Sequence, residues 1–262
     1  MRFFDTHAHY TDRRFAEEFP GGADALLTEV FAANVERIVN VATNCENAVE
    51  VCRQAAKYDK MFAAVGIHPE DCLEMVDPDA ELEKLSALLD RKDELKIVAI
   101  GEIGLDYHWD VDHKDKQNYF FDKQLTLSEK YDLPVIVHDR EAHGDCFDMV
   151  LAHKNARGVF HSFSGSPEFA LELVKRGWYI SFSGSVSFKN ASKVREAAKI
   201  VPSDRILIET DCPYMAPEPF RGRLNRSDLL VYTLNAVAAA KNLDPEPLSE
   251  QIFENSCRFF EI

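Results

Sequence analysis

Residues 97–103 read Ile97-Val98-Ala99-Ile100-Gly101-Glu102-Ile103, an apolar run broken by one carboxylate, and residues 134–138 read Pro134-Val135-Ile136-Val137-His138. Between them, Asp115–Tyr131 carries apolar residues at mixed spacings of three and four, the period of one helical face. Runs this dense in Val and Ile suit strands covered on both faces, as in a parallel sheet. The stretch therefore reads strand, helix, strand.

The alternation continues in both directions. Strands are expected at Phe3–Ala8, Arg37–Ala42, Phe62–Ile67, Ile97–Ile103, Pro134–His138, Gly158–Ser162, Tyr179–Ser183 and Ile206–Glu209. Helices are expected over Asp24–Ala33, Glu46–Tyr58, Asp79–Leu89, Asp115–Tyr131, Glu141–His153, Pro167–Arg176 and Ser192–Ile200, with Asp228–Lys241 and Pro247–Phe260 closing the chain. Gly or Pro punctuates several passages from helix to strand, as at Arg176-Gly177 and Leu133-Pro134. Eight such alternations with short connections predict an α/β fold of the (β/α)8 TIM barrel kind. The 262 residues match the about 250 that such a barrel takes. A doubly wound open sheet shares the alternation, and periodicity alone does not separate the two. No linker or low-complexity segment interrupts the chain, so residues 1–262 are read as a single domain.

Lys and Arg total 30 against 45 Asp and Glu, a formal net charge of -15. That balance weighs against a broad footprint on duplex nucleic acid, although divalent metals can supply positive charge at a narrow site. No apolar run approaches the roughly 18 residues of a membrane span, and MRFFDTHAHY lacks the apolar stretch of a secretory signal. The six cysteines are scattered without a CxxC pair, the pattern of reduced thiols. A cytoplasmic protein with no membrane association is expected.

Histidines and carboxylates at the strand ends carry the chemistry. His7 and His9 lie two apart in Asp5-Thr6-His7-Ala8-His9, so their side chains share one face of the first strand. Two imidazoles so placed can grip one metal. Glu102 interrupts an apolar strand where an unpaired carboxylate would be expensive to bury, with Gly101 and Gly104 leaving room beside it. It reads as a carboxylate able to bridge two cations. Val135-Ile136-Val137-His138 and Val159-Phe160-His161 are apolar strands each ending in a histidine. Ile206-Leu207-Ile208-Glu209-Thr210-Asp211 ends in two carboxylates. Asp211 lies just beyond the apolar run, where active-site groups of barrels emerge, and Glu209 reads as supporting. Imidazole with carboxylate suits Zn, Mn, Fe or Ni and admits Mg. No thiol belongs to the set, which argues against a structural zinc site.

Together, Asp5-Thr6-His7-Ala8-His9, Gly66-Ile67-His68-Pro69, Gly101-Glu102-Ile103-Gly104-Leu105-Asp106, His138, His161-Ser162-Phe163-Ser164-Gly165 and Glu209-Thr210-Asp211-Cys212-Pro213-Tyr214 resemble the TatD-like metal-dependent deoxyribonucleases. The match runs in order over nearly the whole chain. It includes Gln124-Leu125, Arg221-Gly222 with Asn225, and Asn255-Ser256. The resemblance implies an amidohydrolase-like barrel that hydrolyses phosphodiester bonds of nucleic acid, DNA above all, in the manner of a 3'-5' exonuclease on single strands. It implies two divalent metal ions, Mg, Mn or Zn. His7, His9, Glu102 and Asp211 are the implied ligands of one, and Glu102, His138 and His161 of the second. Asp211 would also take a proton from the attacking water, which makes Asp211 and Glu102 the catalytic pair. His68 resembles the family's phosphate-contacting histidine, with an ordinary polar loop residue as the equal alternative. Tyr107, Arg140, Phe163 and Arg221 are candidate rim residues, the arginines for phosphates and the aromatics for bases.

Three positions depart from the family pattern. Ser162 stands where many members have Cys, Arg226-Ser227 follows Asn225 in place of an acidic residue and Pro, and Ser256 replaces Thr. None is a candidate ligand. The alternative function is hydrolysis of a small phosphate ester, amide or lactone by the same water-activating groups. Glu102, where a carbamylated Lys would mark other amidohydrolases, favours the nuclease. The oligomeric expectation is a monomer or a small homo-oligomer.

Overall fold

The computed structural model describes residues 1–262. Its strands are β1 (Phe3–Ala8), β2 (Val35–Val41), β3 (Met61–Val65), β4 (Ile97–Asp106), β5 (Val135–Arg140), β6 (Gly158–Phe160), β7 (Tyr179–Phe182) and β8 (Ile206–Ile208). They form one eight-stranded sheet whose spatial order is their order in the chain, and the strand pairings are parallel. This is the (β/α)8 barrel. A doubly wound sheet would need the order to reverse at a switch point, and it does not.

The helices are α1 (Arg13–Glu18), α2 (Gly22–Ala32), α3 (Cys45–Ala55), α4 (Pro78–Leu89), α5 (Lys114–Tyr131), α6 (His143–Ala152), α7 (Pro167–Lys175), α8 (Ser192–Ile200), α9 (Leu230–Lys241) and α10 (Pro245–Phe260). Side-chain caps fix several starts. Asn44 accepts from Asn47 N at 2.9 Å, Asp77 from Ala80 N at 3.1 Å, Ser166 from Phe169 N at 3.1 Å and Asp244 from Glu246 N at 3.0 Å. In the last three a proline occupies the first helical position, where its missing N–H costs nothing. The Asp244-Pro245 cap starts α10 two residues before the sequence-based expectation. No helix is long and apolar enough to cross a membrane.

Internal packing divides the chain into two compact units, Met1–Asn40 with His161–Ile262, and Val41–Phe160. In the first, β1 pairs with β2 and β7 with β8. The segment after β8 returns to β1: His9 N donates to Cys212 O at 2.8 Å and Asp211 N to His7 O at 2.9 Å. Phe4 packs against Phe253 and Phe260 of α10, with ring centroids 6.1 and 5.6 Å away. The Lys241 ammonium seals the end of α8, donating to the carbonyls of Ala198, Lys199 and Val201 at 3.2, 3.3 and 2.5 Å.

In the second unit, β4 pairs with β3 and β5, and β5 with β6. Gly104 sits at φ +141° opposite His138, and a Cβ there would lie 2.0 Å from the His138 carbonyl oxygen. A Cβ on Gly101 would lie 2.7 Å from Ile136 Cβ. The room left by the two glycines is thus taken up by β5.

Buried amides complete both units. Gln124 accepts from Ile67 N at 2.7 Å and donates to Ile67 O at 3.0 Å. Asn225 donates to Thr210 O at 2.8 Å and Tyr214 O at 2.6 Å. Asn255 donates to Ser203 O at 2.8 Å and Ile206 O at 2.9 Å. Each pairs backbone groups that leave the strand ladder and would otherwise be buried unsatisfied.

Candidate metal centre

Each unit gathers its own group of ligand atoms. In the first, His7 and His9 come from the end of β1 and Asp211 from just beyond β8. His7 Nε2 and His9 Nε2 stand 3.0 Å apart, and Asp211 Oδ1 lies 3.8 and 3.5 Å from them. The three ligand atoms lie within 4.8 Å of one another. Burial pushes the Asp211 carboxyl up, but the hydrogen bond with His9 and the charges of His7, His161 and His9 outweigh it. The carboxyl ends below its ordinary 3.8. Asp211 adopts φ +59°, a left-handed backbone that few residues other than Gly, Asn and Asp accept readily.

Buried carboxylates stand behind this group. Asp5 accepts from Thr210 N at 2.9 Å and Thr210 Oγ1 at 2.5 Å, which fixes the residue before Asp211. His161 stacks on His7 with ring centroids 4.2 Å apart and an interplanar angle of 12°. Its Nδ1 lies 3.2 Å from Glu209 Oε1. Glu209 also accepts from Ser162 N and from Ser181 Oγ, both at 2.6 Å. A carboxylate on one ring nitrogen sets the tautomer and leaves the other nitrogen for a metal.

The second unit brings together His68, Glu102 and His138, again within 4.8 Å. Glu102 Oε1 lies 2.6 Å from His138 Nδ1 and 3.4 Å from His68 Nε2. His68 Nδ1 accepts from Glu70 N at 3.2 Å, which turns Nε2 toward Glu102. His68, expected as a phosphate contact or a polar loop residue, therefore stands beside the ligands themselves. Asp106 Oδ2 lies 2.9 Å from His138 Nε2. Burial opposes ionisation of Asp106, but His138 and the N–H groups of Trp109 and His108 more than offset it, and its pKa is lowered. Asp106, within the Gly101–Asp106 motif, carries no expected role in the sequence. Its even spacing from Glu102 along one strand is the signal that places both on one face.

The expected rim residues separate into two kinds. Tyr107 is 7% exposed, and its hydroxyl donates to Asp145 at 2.7 Å. Phe163 is 3% exposed, packed against Phe169 at 5.9 Å and Phe182 at 6.5 Å. The Tyr107 ring lies under the Lys114 ammonium, 3.8 Å from its centroid, and both rings are buried. Arg140 and Arg221 are exposed, with guanidinium carbons 5.2 Å from the Trp109 ring centroid and 4.4 Å from that of Phe188.

Convergent imidazole nitrogens and carboxylate oxygens at the ends of parallel barrel strands define a metal-dependent hydrolase. The model of TatD related DNases matches residues 4–261, and the chain belongs to that family. It is 39% identical over 263 residues to the uncharacterized metal-dependent hydrolase YabD of Bacillus subtilis (strain 168), covering 99% of each chain. The crystal structure of YjjV, a TatD homologue from Escherichia coli K12, superposes with a TM-score of 0.91 at 32% identity, covering 100% of this chain and 98% of that one. A TatD family hydrolase from Entamoeba histolytica shares the fold at a TM-score of 0.85 and 22% identity, covering 99% and 98%.

Proposed function

We propose that this hydrolase cleaves phosphodiester bonds of nucleic acid, DNA in the first place, as a 3'-5' exonuclease on single strands. The observation that carries the reading is the convergence of His7, His9 and Asp211 on one point, in a chain whose family is described as DNases. Two divalent ions, Mg, Mn or Zn, would be held by His7, His9, Glu102, His138, His161 and Asp211. Nitrogen and oxygen donors without thiolate fit such ions. Bound there, they supply Lewis-acid polarisation of the phosphate and a water of lowered pKa.

The chain's own residues do the rest. Asp211, held ionised by the neighbouring imidazoles, accepts a proton from the attacking water. Glu209 and Asp106 fix the ring orientations of His161 and His138. Arg140, the last residue of β5, and Arg221 are exposed and are candidate cations for flanking phosphates. Six free cysteines suit a reducing, cytoplasmic setting.

The test is to strip metal with a chelator, restore single metals, and follow end-labelled single-stranded and duplex DNA. Cleavage that returns with metal and is lost in Glu102→Gln supports the reading. Metal-loaded protein that hydrolyses small phosphate esters, amides or lactones but no nucleic acid would move the function to those substrates.

A further inference from the structure

Asp106 is shared between the candidate metal centre and the turn that follows β4. While its Oδ2 meets His138 Nε2 at 2.9 Å, its Oδ1 accepts the backbone N–H of His108 at 2.9 Å and of Trp109 at 3.1 Å. Gln117 of α5 pins the same turn. It accepts from Asp106 N at 2.8 Å and donates to the carbonyls of Asp106 and Asp110 at 3.0 and 3.1 Å. From this fixed backbone Trp109 stands 63% exposed. The other tryptophan, Trp178, is 3% exposed. The Trp109 ring carries the Arg140 guanidinium at 5.2 Å and the His108 ring edge-on at 4.8 Å.

A single exposed apolar side chain is ordinary on a protein surface. Here the backbone that carries it is tied, through one carboxylate, to a candidate ligand histidine. A ligand settling on the indole would pay little ordering cost, because the turn is already set. Two acidic neighbours are engaged, Asp110 with His113 Nδ1 at 2.7 Å and Glu141 with His108 Nδ1 at 2.8 Å, while Asp112 is exposed. Local charge is therefore a poor basis for recognition, apart from Arg140, and the aromatic face is what the surface offers.

The geometry points to Trp109, flanked by Arg140, as a stacking subsite for an unpaired base of a single-stranded nucleic acid. The inference rests on the phosphodiesterase reading and adds to it the group that selects bases. Stacking needs a free base face and tolerates any base, so the subsite distinguishes single strands from duplex without reading sequence.

The experiment compares a deoxyoligonucleotide bearing bases with an abasic chain of equal length, using magnesium-loaded protein. Tryptophan emission of the wild type is expected to be quenched by the first and not the second, with the response absent in Trp109→Ala. In cleavage, the wild-type preference for the base-bearing chain, as kcat/KM, should fall about tenfold in Trp109→Ala and be largely kept in Trp109→Phe. Equal quenching by both chains, or an unchanged preference in Trp109→Ala, overturns the subsite. Base-dependent quenching with no cleavage of any nucleic acid would leave the subsite standing and remove the phosphodiesterase reading.

Discussion

Glu209 lies with Oε1 3.2 Å from His161 Nδ1, while the stacked ring of His7 lies on His161 with centroids 4.2 Å apart. The glutamate is buried and also accepts from Ser162 N and Ser181 Oγ. Its charge orients a ring that is itself packed on a second candidate ligand.

Glu209→Gln keeps the volume but removes the anion. Metal affinity is expected to fall about 10–100-fold, as for other partners that orient a ligand histidine. Competition with a chelator reads this directly, and the unfolding midpoint of metal-free protein serves as control. An unchanged affinity would make Glu209 a purely structural residue.

Gln124→Leu removes both partners of Ile67, leaving a buried N–H and a buried C=O unpaired. Each such group costs about 1–3 kcal/mol, so a loss of about 2–6 kcal/mol in urea unfolding is expected. A change under 1 kcal/mol would show that water or a backbone shift replaces the amide.

Lys241→Met deletes an ammonium shared by three carbonyls at the end of α8. Burial lowers the Lys241 pKa, so desolvation offsets part of what those bonds contribute. The expected loss is about 1–2 kcal/mol, read as a lower denaturant midpoint at unchanged m-value. A gain in stability would show that the desolvation cost exceeds the bonds.

Alkaline pH should weaken the fold through Cys45 and Cys52. Burial, with Glu81 adding at Cys45, pushes both thiols from 9.0 to about 11. A folded pKa raised above the unfolded value gives stability that is complete below pH 9 and is lost as pH rises toward 11. Wild type should lose about 3–4 kcal/mol more between pH 8 and 10.5 than the Cys45→Ala/Cys52→Ala variant, about 2 kcal/mol from each thiol. Parallel curves for the two proteins would refute the assignment.

The barrel was legible because strands buried on both faces must be apolar throughout, and polar residues then stand out at their ends. His7, His9, Glu102, His138, His161 and Asp211 stand out as candidate ligands for that reason. Strand ends were less legible. Ser162, Ser183 and Glu209 were expected within strands, but β6, β7 and β8 stop before them, and Ser162 turns to φ +40°. The helix α1 buries only Phe15, so no apolar period announced it. Gln124, Asn225 and Asn255 were noticed as motif residues, yet their task depends on carbonyls distant in sequence. Exposure has no local signature either: Tyr107 and Phe163 are the aromatics expected at the rim, yet both are buried, while Trp109 stands 63% exposed.

The division of the chain also sets a timetable. Val41–Phe160 is continuous in sequence, so His68, Glu102 and His138 have all been synthesised once the ribosome has passed residue 138. His7 and His9 are made first, but their carboxylate partner Asp211 comes 204 residues after His7. During translation the group around His7 and His9 therefore stays incomplete until Asp211 has been made.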